Sequence, residues 1–258
     1  MSQTRHPLSL DSDHLALGVT SLSSVDPDLA RLSAELGQPP LWARAPGFPT
    51  LVHIILEQQV SPASANAAFT RLQEAAKIVA PDTFLKLNDG ELKIIGFSRQ
   101  KASYCRALAL AVLYGEIDIA ALGSLDDAAA RATLMKIRGI GSWTADIYLL
   151  MALLRPDIWP SGDLALATAI QEIKTLSSRP NAQEMDHIAA PWQPWRAVAA
   201  RLLWRYYLST RKNGRLYASG RDCSIPQSTT PDRVRPAWPQ RESFLRSRLT
   251  PCPCPTRS

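Results

Sequence analysis

Apolar positions in this chain recur at helical spacing from about Pro27 to Tyr207, and no stretch alternates apolar and polar residues as a half-buried strand would. Between Thr50 and Gln59 the apolar set is Leu51, Val52, Ile54, Ile55 and Leu56, the pattern of a buried helix that runs out into the polar group Glu57-Gln58-Gln59. Asp26-Pro27 and Ser61-Pro62 each place a capping residue before a proline suited to a first helical turn. Helices are expected to start at both, the second reaching about Ala80. Further helices are expected at about 89–95, 100–114, 125–137, 142–154, 164–176, 182–188 and 194–209. The pattern predicts an all-α domain over 25–210, preceded by a flexible N-terminus at 1–24.

Beyond Lys212 the character changes: seven of the chain's twenty prolines lie there, with Ser, Thr and Arg between them and little periodicity. Residues 211–258 are therefore expected to form a disordered Pro/Arg-rich tail, with Trp238 and Phe244 its only candidates for docking. That tail also holds the charge. The net charge of +6 divides into ten Lys/Arg against three Asp/Glu from Arg211 onward, net +7, and nineteen basic against twenty acidic residues before it, net −1. If the folded part binds a polyanion, it does so through a local face and backbone amides rather than bulk charge.

No run of apolar residues is long enough for a membrane span, and the N-terminus lacks the apolar core of a secretory signal, so an intracellular, membrane-free setting is expected. Cys105, Cys223, Cys252 and Cys254 read as free thiols. Cys252-Pro-Cys254 lacks zinc-knuckle spacing and His6, His14, His53 and His187 are scattered, so no metal held by side chains is expected.

The candidate chemistry begins at Gly139-Ile140-Gly141, between two predicted helices. Glycines there let the backbone approach a ligand closely, and the unpaired amides and dipole of the following helix N-terminus suit a phosphate. The same residues also read as a tight interhelical turn. A lone carboxylate, Asp163, follows in Pro160-Ser161-Gly162-Asp163-Leu164, where it equally reads as the cap of the next helix.

Leu56-Glu57-Gln58-Gln59-Val60-Ser61, Gly96-Phe97-Ser98-Arg99-Gln100-Lys101-Ala102, Gly139-Ile140-Gly141-Ser142-Trp143-Thr144-Ala145, Asp163, and Trp192-Gln193-Pro194-Trp195-Arg196 with Leu203-Trp204 occur in that order. Together they resemble the helix-hairpin-helix DNA glycosylases, and among these the DNA-3-methyladenine glycosylase II branch. The resemblance implies a two-lobed helical bundle with a DNA-facing cleft between the lobes. The middle of the chain would form one lobe and its two ends the other. It implies hydrolysis of the N-glycosidic bond of alkylated bases such as 3-methyladenine in double-stranded DNA, by a monomer in the cytoplasm and nucleoid of a bacterium or the nucleus of a eukaryote.

By the same resemblance Asp163 is the catalytic carboxylate, and Trp143 and Trp204 line the base pocket. Ile147 and Leu164 stand where relatives carry tyrosine, with Tyr148 one residue away. Gln59 is the plug that fills the gap left by the flipped base, with Gln58 beside it, and both also read as exposed helix-end residues. Gly139, Ile140, Gly141, Ser142 and Thr144 would hold the DNA backbone together with Lys101. Main-chain carbonyls of Met135, Ile137 and Ile140 would hold a Na+ or K+ ion, and no other cofactor is implied. Bifunctional members carry a lysine nucleophile where this chain has Trp143, and an indole cannot act as an amine. The expected reaction is base excision without strand cleavage, with Lys136 and Lys101 facing solvent or phosphate. Trp204 also reads as an ordinary core residue.

Overall fold

The computed structural model describes residues 9–218, and among these it contains helices and no strands. In chain order the α-helices are α1 Ser12–Val25, α2 Pro27–Leu36, α3 Phe48–Glu57, α4 Pro62–Ala76, α5 Pro81–Lys86 and α6 Asp89–Ile95. There follow α7 Arg99–Leu113, α8 Asp127–Met135, α9 Ser142–Met151, α10 Leu164–Ile173, α11 Ala182–Ala189 and α12 Arg196–Ala218. No helix among the described residues is long and apolar enough to cross a membrane.

Side-chain caps set the starts of these helices. Asp26 accepts from the amides of Asp28 and Leu29 at the start of α2, and Ser61 accepts from Ser64 at the start of α4. Asn88 with Glu91, and Asn181 with Glu184, form reciprocal pairs that cap α6 and α11.

The helices form two groups. α1, α2, α10 and α12 pack on one another, while α3 to α7 pack together and meet the α8–α9 pair through α3. The chain's ends thus share one lobe and its middle forms the other. Buried polar bonds tie distant segments together. Arg201 on α12, with no exposed surface, donates to the carbonyls of Leu41 at 2.9 Å, Ala197 at 2.9 Å and Leu150 at 2.7 Å. Asp26 takes the Trp192 indole N–H at 2.8 Å and the Lys174 ammonium at 3.0 Å, fixing α10 to the start of α2.

The N-terminus departs from its expected flexibility. Ser12–Val25 is a helix capped by Asp11, with Leu15, Gly18 and Leu22 buried. Its neighbour Leu10 is also buried and bonds through its amide to the Leu154 carbonyl at 2.7 Å. α4 stops at Ala76, short of the expected Ala80, where Lys77 turns to φ +61°, and the short α5 at Pro81–Lys86 was not expected. α9 and α10 end at Met151 and Ile173, short of the expected 154 and 176, because Leu154 and Thr175 take φ +54° and +53°. In the other direction, α12 continues to Ala218, past the expected boundary at 210. The remainder of the expected tail, with Cys223, Trp238, Phe244, Cys252 and Cys254, lies outside the described residues.

Candidate active site

The turn between α8 and α9 depends on two glycines in different ways. Gly139 has φ +92°, and a Cβ built on it would lie 2.1 Å from Cγ of Tyr104. Tyr104 on α7 therefore packs directly against the hairpin backbone. Gly141 has φ −91°, which any residue can adopt, and a Cβ there would meet nothing within 4 Å. No side chain caps α9, so the amides of its first turn have no partner from a capping side chain.

The hairpin is anchored to α3 by Gln58, whose Nε2 donates to the Gly139 carbonyl and to Oγ1 of Thr144, both at 2.9 Å. This packing fixes the surroundings of three residues expected to contact DNA. Gln58 is half-buried and spends its amide on the protein, Thr144 is 2% exposed, and Ile140 is 4% exposed. Gly139, Gly141 and Ser142 are the more exposed residues of the expected hairpin set, beside the exposed cations Lys136 and Arg138.

Gln59 follows α3 in a left-handed conformation, φ +55°, with its side chain exposed. It shares a cavity of about 390 Å³ with Gln58, Gln100, Lys101, Tyr104 and the segment Gly139–Gly141. Lys101 was expected at solvent or phosphate, but its Nζ donates to the Leu56 carbonyl at 2.7 Å and so satisfies the C-terminal end of α3. Burial pulls its pKa below the usual lysine value. Tyr104 and Gln100, joined by a 2.6 Å bond from Nε2 to the phenol oxygen, were not singled out from the sequence. Gln100 lies within the quoted Gly96–Ala102 motif and Tyr104 one helical turn beyond it.

Asp163 is 6% exposed and caps α10. Its Oδ1 accepts from the amides of Ala165 and Leu166, both at 2.9 Å, and from Nε1 of Trp204 at 3.2 Å. Its Oδ2 accepts from Nε1 of Trp143 at 3.0 Å. The expected helix cap at Asp163 is therefore present, and the same carboxyl group also takes two indole N–H groups. The aspartate does not line the hairpin cavity, but Trp143, two residues beyond Gly141, connects the two.

The expected base pocket is only partly assembled. Trp143 is half-buried and keeps some exposed surface, and Leu164 is 68% exposed beside Asp163. Trp204 has no exposed surface, so it offers no open ring face to a ligand. Ile147 is 2% exposed, and Tyr148 is fully buried with its hydroxyl accepting from the Gly47 amide at 2.9 Å. That bond serves the start of α3, since Gly47 is the residue before it and no side chain caps it. One further aromatic emerges. Trp42, half-buried and at φ +49°, meets Trp204 edge to face with ring centroids 6.3 Å apart. It lies before the quoted motifs, and only a non-glycine residue held at positive φ marks it out.

Comparison with known proteins gives four consistent likenesses. Residues 52–194 match the model of the HhH-GPD superfamily base excision DNA repair protein. The chain is 27% identical over 205 residues to the alkylbase DNA glycosidase-like protein mag2 of Schizosaccharomyces pombe, covering 77% of this chain and 96% of that one. It is 31% identical over 120 residues to a DNA-3-methyladenine glycosylase of Bacillus subtilis, covering 46% and 40% respectively. Among solved structures, the S. pombe 3-methyladenine DNA glycosylase Mag1 in complex with abasic DNA superposes with a TM-score of 0.69 at 24% identity, covering 73% of this chain and 95% of that one.

Proposed function

The chain belongs to the HhH-GPD superfamily of base excision DNA repair proteins, and from that premise we propose that it is a monofunctional DNA glycosylase that removes alkylated purines such as 3-methyladenine from double-stranded DNA. The observation that carries this reading is the environment of Asp163. It is a buried carboxylate at a helix N-terminus, with both oxygens directed by hydrogen bonds and one aromatic of the pair that directs it still partly open. The names of the relatives, alkylbase and 3-methyladenine glycosylases, agree with it.

As the bond from base to sugar breaks, the base leaves with the electron pair and positive charge develops on the deoxyribose. A fixed carboxylate stabilises that charge while water adds to the anomeric carbon. The dipole of α10 places partial positive charge beside the Asp163 carboxyl group. An alkylated purine carries formal positive charge, which suits the face of an indole and makes the base a better leaving group. Trp143 is the ring with surface to offer.

The uncapped first turn of α9, open at Gly141 and Ser142, suits a phosphate. Carbonyls at the end of α8 and in the turn, those of Met135, Ile137 and Ile140, are neutral oxygen donors of the kind that hold Na+ or K+. Ile137 gives one lone pair to the Ile140 amide and keeps the other. Such an ion would supply positive charge for a phosphate at the hairpin. Gln59, exposed on its turn beside the hairpin, is the side chain we assign as the plug for the vacated stack, and its exposure supports that role.

Trp143 gives its N–H to Asp163 and has no amine, which supports hydrolysis without lyase activity. The test is release of free bases from methylated duplex DNA. Asp163→Asn is expected to bind DNA as before and to lose release by ~10² or more, the scale seen when a key electrostatic group is removed. Borohydride is expected to trap no covalent adduct. Equal release by variant and parent, or a trapped adduct, would overturn the corresponding half of the proposal.

A further inference from the structure

Two tryptophans from distant parts of the chain point their indole N–H groups at the two oxygens of one carboxylate, and the two oxygens are not equivalent. Oδ1 receives three donors, the Ala165 and Leu166 amides and Trp204 Nε1, while Oδ2 receives Trp143 Nε1. Trp204 has no exposed surface, whereas Trp143 is half-buried. Trp42 packs edge to face on Trp204, which limits rotation of the Trp204 ring.

From this geometry we infer that Trp204 is a positioning residue for Asp163. Its N–H pins Oδ1 in the cap of α10, and this leaves Oδ2 as the oxygen that works on the sugar. Trp204 does not select the base. This inference rests on Asp163 being the reacting carboxylate. The two tryptophans then have separate roles. Trp204 sets the rotation of the carboxyl group from behind. Trp143 meets Oδ2 on the more accessible side. A carboxylate held only by the two amides of its own cap could still turn about its Cβ–Cγ bond. A third donor approaching Oδ1 from another helix removes that freedom, and a preorganised charge costs no reorientation at the moment of reaction.

The test separates the N–H from the ring. Trp204→Phe removes the donor but also part of a fully buried side chain, so its melting temperature is measured beside its activity. Replacement of Trp204 by 3-benzothienylalanine, which has sulfur in place of the N–H, keeps the shape of the indole and removes only the donor. Both are assayed on methylated duplex DNA in single turnover at saturating enzyme, with the released bases separated, and Asp163→Asn is run in parallel. The expected result is that both variants of Trp204 slow release by about 10-fold or more, the scale of a lost hydrogen bond to a charged group. Binding of the same DNA and the ratio of the bases released are expected to stay unchanged. A benzothienyl variant that releases bases at the parental rate would overturn the inference. So would an altered ratio of released bases at an unchanged rate, which would return Trp204 to the base pocket. If Asp163→Asn itself releases bases normally, the parent proposal fails along with the inference, and that outcome is distinct from a failure at Trp204 alone.

Discussion

Gly139 and Gly141 look interchangeable in the sequence, yet their surroundings assign them different work. Gly139 needs both its positive φ and its missing Cβ, because Tyr104 fills the space where a side chain would go. Gly139→Ala is therefore expected to cost about 2–4 kcal/mol of stability, from strain at φ and displacement of a packed ring, read as a lowered thermal midpoint. Gly141 has open space and an ordinary φ, so Gly141→Ala should fold within about 0.5 kcal/mol of the parent. If the hairpin holds a phosphate, the added methyl keeps the backbone from close approach. Affinity for any duplex then falls with little change in the choice of base, because phosphate contacts position without specifying. A Gly141→Ala protein that binds DNA like the parent would remove the hairpin from the interface. What could be read at this scale from the sequence was which residue types matter. Their partners could not be read: Trp143 and Trp204 lie 20 and 41 positions from Asp163, and nothing local foretells that both indoles meet it.

At the scale of elements, helix starts marked by a capping side chain were legible, and several helix ends were not. Asp26, Ser61 and Asp163 announce themselves because a capping side chain bonds amides two or three residues ahead, a purely local event. Ends such as Lys77, Leu154 and Thr175 depend on non-glycine residues driven to positive φ by packing, which no local rule anticipates. α1 escaped notice because its sequence mixes serine, threonine and glycine into a weak pattern. What fixes it is tertiary: a Cβ on Gly18 would lie 2.9 Å from the Trp195 ring, so the helix sits tightly against the start of α12. The two helices that carry the hairpin are joined by an ion pair, Arg131 Nε to Asp146 Oδ1 at 2.6 Å. Burial pushes the Asp146 carboxyl up to about 6 against an ordinary value of 3.8, despite Arg131. The native state thus holds this proton more tightly than the unfolded chain does. The favourable contribution is present at low pH and is lost as pH rises from about 4 to about 6. Asp146→Asn removes that loss and leaves Arg131, whose side chain is 36% exposed, in contact with water. The variant is expected to be more stable than the parent at pH 7.5, by about 1–3 kcal/mol, with the difference shrinking at pH 4.5. Urea midpoints at the two pH values check this. A less stable variant at pH 7.5 would mean that the ion pair outweighs the burial of its carboxylate.

At the scale of the whole molecule, the two-lobed arrangement was legible only through the family resemblance, because the helices that share the terminal lobe, α1 with α12 among them, are separated by most of the chain. Charge at this scale argues against a simple electrostatic picture. Basic and acidic residues nearly balance before Arg211, so affinity in the folded part depends on where amides and a few exposed cations sit, Lys136 and Arg138 by the hairpin among them. Residues 219–258 hold seven Lys/Arg against three Asp/Glu and follow the last described helix in sequence. A segment of that composition can add phosphate contacts that are blind to the lesion, and each contact steepens the dependence of log K on log salt by about 0.9. A chain ended after Ala218 is therefore expected to bind undamaged duplex more weakly, with a salt slope shallower by about one or more. Its single-turnover release from methylated DNA at saturating enzyme, and the ratio of bases released, should match those of the full chain. Equal salt slopes would show that the tail makes no phosphate contact. A slower step at saturation would show instead that the segment supports the catalytic lobe, because a purely electrostatic attachment changes how much enzyme is bound and leaves the chemistry of the bound state as it was.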